Sequence, residues 1–359
     1  MDVVSVLRQL SEARGLPGYE DEVRACISGF YEPWADAVRT DSLGNLIALK
    51  KGTRPAETKA RSIMLAAHMD EVGLMVSGFE KGFLRFTHMG GVDPRTILGQ
   101  EVVVYGQRPL PGIIATHPPH VLPPEERNKV VSYEELFIDV GLPEEELKEL
   151  VRVGDPIAMR REFIELAEGY VSGKAFDDRA GVASLLVCLE ALQNLQHSWD
   201  VYVVATVQEE KGLKGATVGA YGIAPDIAIA VDVGFGRQPG VEEKESIVMD
   251  GGPAIAKGPN IHPVMHQTLV EVAKRYELKH QLEIIPGASG TDAWAIQVTR
   301  EGIPSALLSI PLRYMHTSVE TVCIRDIERT GRLMALFISQ LDESFAEKLG
   351  LGEERWMPC

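Results

Sequence analysis

The hydrophobic positions of this chain change period twice. Val3, Val4, Leu7 and Leu10 recur at helical spacing, Gly15, Pro17 and Gly18 break the pattern, and a second helical stretch follows over residues 19–30. Two strand-like pieces around Asp41-Ser42-Leu43-Gly44-Asn45 predict a hairpin over 38–51, and a buried strand leads into His68-Met69-Asp70. From about residue 71 to 166 the helical period fades. Short β-like pieces at 84–86, 101–105, 112–115, 136–140 and 156–159 predict a small β-rich unit. Its proline-rich segment 109–124 reads as a surface loop and 143–150 as a short helix. Beyond Gly173 strands and helices alternate again. Helices are predicted at 180–195, 213–221, 262–276 and 324–345, and strands at 201–207, 226–233, 281–285 and 305–310. The pattern is an α/β domain, residues 1–70 and 167–359, interrupted by a β-rich insertion, residues 71–166.

Composition narrows the function classes. A formal charge of −16 argues against nucleic-acid and anionic-membrane partners. No apolar run approaches the roughly 18 residues of a membrane span. The first residues lack the basic region and small-residue cleavage site of a signal peptide. Cys26, Cys188, Cys323 and Cys359 are scattered without a CxxC, which suits a reducing cytoplasm and excludes a thiolate zinc site.

The chemistry collects at predicted strand ends and loop-to-helix junctions. The run 201–207 stops at Gln208 and presents Glu209 and Glu210, and open α/β sheets bind ligands beyond the carboxyl ends of their strands. Taken alone, a Glu pair is a solvated loop, a lone His is a structural residue, and Asp177-Asp178 is a helix cap. Asp232, inside an apolar strand, already calls for a cation or an Arg partner. Together His68, Asp70, Asp177, Asp178, Glu209, Glu210, Asp232 and His316 form one imidazole–carboxylate inventory suited to zinc, cobalt or manganese. The set exceeds the three protein ligands of a single catalytic zinc and matches a two-metal site. One Glu is left over to take a proton.

The motifs HMDEVGLM at His68, GGVDPRT at Gly90, AFDDR at Asp177, VATVQEEKGLKGA at Glu209, AVDV at Asp232, GTDA at Asp292 and YMHTSVE at His316 resemble the dinuclear metallo-aminopeptidases. That family comprises the tetrahedral (TET), glutamyl and deblocking aminopeptidases. The resemblance spans nearly the whole chain, with the motifs in the same order. It implies a phosphorylase/hydrolase-like three-layer α/β catalytic domain with an inserted β dimerisation domain, PDZ-like or barrel-like. It further implies two divalent ions per subunit, zinc or cobalt. His68 and Asp232 would bind one and the other, Asp177 would bridge them, and Glu210 and His316 would complete the set. Glu209 would be the general base for attack of a dimetal-bridging water on a peptide carbonyl. Asp70 would orient the site from behind the ligands. Asp178 would be structural, paired with Arg179 or capping the helix. The implied substrates are peptides with a free N-terminus, and the implied assembly is a tetrahedral dodecamer built from dimers.

Asp292 lines the pocket or caps a helix, and the individual stretch around Ser289 and Trp294 leaves the side-chain preference open. His117 and His120 read as loop residues, and His262 and His266 as helix-start and surface residues. Two other readings compete. A glycoside hydrolase would leave His68, His316 and Asp177 without work, since its chemistry needs two carboxylates and normally no metal cluster. A non-catalytic peptide-binding assembly would be expected to have lost a ligand or the base.

Overall fold

The apolar runs become neighbouring strands of one large mixed sheet. A computed structural model describes residues 1–54, 60–125, 127 and 129–351. In chain order, β1 (Ala37–Thr40), β2 (Leu46–Lys50) and β3 (Ser62–His68) enter the sheet. Next, β4 (Gly73–Glu80), β5 (Phe83–Met89), β6 (Glu101–Tyr105), β7 (Pro109–Ala115), β8 (Phe137–Asp139) and β9 (Pro156–Met159) close into a barrel. The chain then returns to the sheet with β10 (Ile164–Glu165), β11 (Tyr170–Gly173), β12 (Asp200–Thr206), β13 (Ile227–Phe235), β14 (Ala254–Lys257), β15 (Gln281–Ile284), β16 (Ser305–Arg313) and β17 (Glu320–Cys323). The sheet has 11 strands in the order β1-β2-β12-β3-β13-β16-β17-β11-β10, with β14 joining β16 to β15.

The centre, β12-β3-β13-β16, is parallel, so four carboxyl ends share one edge. Strand side chains alternate between faces, and the packing follows that rule. Ile63, Leu65 and Ala67 join Val201, Val203 and Ala205 in the larger core. Met64, Ala66 and Val204 pack on the opposite face, under helix Lys214–Ile223 and helix Asp292–Gln297. On the larger side helix Phe176–Leu192 is buried almost all round, between the sheet and helix Ile324–Ile338, as its near-uniform apolar sequence predicts. The three-layer α/β arrangement is thus present, and the barrel has its own apolar core around Leu74, Val102, Ile114 and Ile157.

Three local expectations need correction. The segment 109–124 is not all loop: Leu110, Gly112 and Ile114 face inward on β7 while Pro109 and Pro111 face out. Along Pro109–Gly112 the strand pairs only with β6, and an edge tolerates a missing N–H. The strand β4 escaped notice because Ser77 and Gly78 blur its alternation, and the register shifts between Val76 and Gly78. The last helix ends at Ile338. A second, Glu343–Lys348, starts from Asp342, whose side chain accepts from the Phe345 N–H. Cys26, Cys188 and Cys323 are free thiols, and Cys359 lies outside the described residues.

Candidate metal centre

His68 is the last residue of β3 and Thr206, beside it in register, the last of β12. Both point to the face carrying Ala66 and Val204, and so does Asp232 on β13, two positions after Ala230. Beyond the strand ends the backbone turns sharply. Gln208 has φ 55°, Ala175 φ 58° and His316 φ 60°, left-handed values that cost a non-glycine residue of order 1 kcal/mol or more. These turns aim Glu209-Glu210, Asp177 and the His316 ring at one point.

Supporting bonds hold that aim. The Asp70 carboxylate, fully buried, accepts the backbone N–H of Glu209 at 3.0 Å and of Glu210 at 3.2 Å. Glu320, also buried, accepts the N–H of His316 at 2.8 Å and of Asp177 at 3.1 Å. Asp178 accepts from Gly181 N–H at 3.0 Å and from His68 N–H at 3.2 Å, so it caps its helix and anchors β3. It does not pair with Arg179. That guanidinium, wholly buried, turns to Glu71 and to the carbonyls of Leu10, Ala13 and Met69, while Lys174 holds the other side of Glu71 at 2.7 Å. Removing Arg179 would strand these acceptors and part of Glu71's charge. Arg179→Met should therefore destabilise by about 3–5 kcal/mol. A urea midpoint corresponding to less than ~1 kcal/mol of loss would show that Lys174 alone suffices.

The ring geometry tests whether the site fits cations. His68 Nδ1 lies 3.1 Å from the Asp70 carbonyl oxygen and His316 Nδ1 lies 2.9 Å from that of Gly91. A carbonyl can only accept, so each Nδ1 carries a proton and each Nε2 is left with a lone pair, unless the rings are doubly protonated. Yet His68 Nε2 faces Asp177 Oδ1 at 3.0 Å, and His316 Nε2 faces Asp177 Oδ2 and Glu210 Oε1, both at 3.2 Å. Metal–ligand bonds of about 2.0–2.1 Å at tetrahedral angles separate ligand atoms by about 3.3 Å, so these spacings suit shared cations. Gly91 is required for the close approach, because a Cβ there would stand 2.7 Å from His316 Nδ1.

The electrostatics agree. Burial, together with the neighbouring carboxylates, pushes Asp232 and Asp178 well above the usual carboxylate range. Burial likewise raises Glu209, to about 10, with Asp232, Asp292 and Glu210 adding to it and His68 opposing. Burial works against charge on His316, but the hydrogen bonds to Asp177 and Glu210 win and push it up to about 11, so without a metal the ring holds a second proton on Nε2, at the position a cation would take. So many buried acids around two imidazoles call for positive charge. Potential ligand atoms fall into three groups, each within 4.8 Å: Asp177-Glu210-His316, His68-Asp178-Asp232 and His68-Glu209-Glu210. His68 and Asp232, expected on separate ions, come together in one group.

The other candidates are elsewhere or behind. Asp292 opens its helix without capping it; Thr291 is the N-cap, and Asp292 is buried, accepting from Thr206 Oγ1 at 2.5 Å. His117 packs edge-on to Phe137 in the barrel, and His266 Nδ1 lies 2.9 Å from the Ala256 carbonyl at helix Pro263–Arg275. Sequence reasoning gave no role to Glu71, Lys174, Thr206 or Glu320. Glu71 and Glu320 lie inside the HMDEVGLM and YMHTSVE motifs, and that adjacency was the available signal. A cleft of about 340 Å³ opens over His68, Asp177, Glu209, Glu210, Asp232 and His316.

Comparison with known proteins places the chain as a whole. Residues 44–333 match the family model described as M42 glutamyl aminopeptidase. The lysyl aminopeptidase of Pyrococcus furiosus is 36% identical over 343 residues, covering 94% of this chain and 96% of its own. The TET aminopeptidase of a marine sediment Thaumarchaeota archaeon superposes with a TM-score of 0.91 at 37% identity, covering 96% of this chain and 98% of its own. The TET1 peptidase of Pyrococcus horikoshii, which can assemble into a tetrahedron or a large octahedral shell, gives 0.82 at 31% identity, covering 95% and 100%. The glycoside hydrolase and non-catalytic readings fall away. The matches to aminopeptidases over the length of the chain place the protein in the M42 glutamyl aminopeptidase family, as a metal-dependent aminopeptidase.

Proposed function

We propose that the centre holds two divalent ions, zinc or cobalt, and that the enzyme removes N-terminal residues from peptides. The observation that carries this is Asp177, whose two oxygens face two different imidazoles at 3.0 and 3.2 Å. Asp177 would serve both ions, with Glu210 and His316 on one side and His68 and Asp232 on the other. Asp177, Glu210 and His316 fall within 4.8 Å of one another and so do His68 and Asp232 with Asp178, while the 3.0 Å contact from Asp177 to His68 links the two sides.

Bound divalent ions polarise a scissile carbonyl and make a water more acidic. Glu209 does the proton work. Its backbone is held by Asp70, and its carboxylate is set among charges that raise its affinity for a proton. With divalent ions bound beside it, whose positive charge offsets the neighbouring acids, it can take a proton from the attacking water and return it to the leaving nitrogen. The surrounding acids favour a free α-ammonium over a blocked N-terminus. Glu71, tied to Lys174 and Arg179, fixes the helix start that carries Asp177.

We assign residues 1–70 and 167–359 to catalysis and the insertion, 71–166, to dimerisation. Further parts of the reading are a cytoplasmic location, supported by the scattered free cysteines, and assembly into a tetrahedral dodecamer, supported by the likeness to the P. horikoshii peptidase. Aminoacyl amides and N-blocked peptides, offered with and without a chelator, test the activity. Cleavage of the free-amine substrates only, abolished by chelation and restored by zinc or cobalt, is the expected result. Cleavage that survives complete metal removal would refute it.

A further inference from the structure

The cleft over the ligands is also lined by apolar Phe235, Ile285, Leu307 and Met315 and by polar Ser309 and Glu283. Ser309 stands beside Asp232 in the β13–β16 register, which places the Ser309–Glu283 pair next to the ligands. Glu283 lies on β15, two strands beyond β16, and leans back across β14 to accept from Ser309 Oγ at 2.5 Å. Its β14 register partner, Ala256, has a side chain too small to block the path. The other carboxylate oxygen, Oε1, lies against Gly234, where a Cβ would approach to 3.2 Å.

No cation among the described residues acts on Glu283. Burial raises its pKa and only the Ser309 hydroxyl opposes. A half-buried carboxylate with one neutral donor is an incomplete arrangement, because a charge partly withdrawn from water ordinarily has a counter-charge. A cleft that sets an acid among apolar side chains beside the ligands matches an amphipathic side chain with an aliphatic stem and a cationic tip.

We infer that Glu283 is a specificity-determining residue, selecting substrates whose first residue is lysine or arginine. The inference rests on the aminopeptidase reading of the same cleft. A charge-assisted hydrogen bond of this kind corresponds to roughly a ten- to hundredfold preference over a neutral side chain of equal length. An acidic first residue would meet Glu283 as a like charge.

Lysine and norleucine have equal stems and differ in the terminal ammonium. Titration calorimetry of both into the metal-loaded, full-length protein should show lysine binding at least about tenfold tighter. In Glu283→Gln the difference should collapse, and the kcat/KM ratio of lysyl-amide to leucyl-amide should fall by a similar factor. Equal binding of the two ligands by the unaltered protein would overturn the inference, even if the variant did not fold. A lysine preference that persisted in Glu283→Gln would also overturn it. Absence of turnover on every aminoacyl amide would count against the aminopeptidase reading instead, while the calorimetric difference would still decide the role of Glu283.

Discussion

Glu209→Gln is expected to lose about 10²–10⁴-fold in kcat while still binding its full complement of metal. The amide keeps the shape and the Asp70-anchored backbone, since Asp70 bonds the main-chain N–H groups of Glu209 and Glu210 and not their side chains. It cannot accept a proton from water or return one to a leaving nitrogen. Steady-state kinetics with metal analysis on the same preparation separate the two properties. If metal content fell in step with kcat, Glu209 would be a ligand, and the division of labour between the adjacent acids would be reversed.

Asp177→Asn is expected to behave differently. One of its two oxygens becomes an NH₂ group, which donates and cannot bind a cation, although both oxygens face imidazole nitrogens in the native site. Loss of a shared ligand should weaken retention of both ions by more than the 10–100-fold typical of supporting residues, and activity should fall with metal content. Dialysis against a graded metal buffer, followed by elemental analysis, reads this directly. Full retention of two ions at unchanged affinity would remove Asp177 from the bridging role. The pair of substitutions separates chemistry from binding: one should lose turnover at constant metal, the other should lose metal and turnover together.

Much of the architecture was legible because it depends on local patterns. Period-2 and continuous apolar runs marked β3, β12, β13 and β16, and those four strands carry the sheet edge where His68, Glu209, Glu210 and Asp232 are found. The uniformly apolar stretch after Asp177-Asp178 read as a buried helix and is one. The missed pieces were short or interrupted: β4 with its bulge, the proline-bearing first half of β7, and the short strands β10, β11, β14 and β17, which carry too little periodicity to recognise.

What the sequence determined alone was the list of groups able to bind metal, their order along the chain, and their places at strand ends, since residue type and local period are one-dimensional properties. Which ligands share a neighbourhood was decided only by the tertiary structure. His68 and Asp232 are far apart in the chain but come together because parallel strands β3 and β13 are neighbours. The burial of Glu71 between Lys174 and Arg179, and the double duty of Glu320, likewise depend on contacts across more than a hundred residues. The reach of Glu283 over Ala256 depends on strand order. Coulomb and desolvation energies are set by distance in space and exclusion of water, and a sequence specifies neither until the chain has folded.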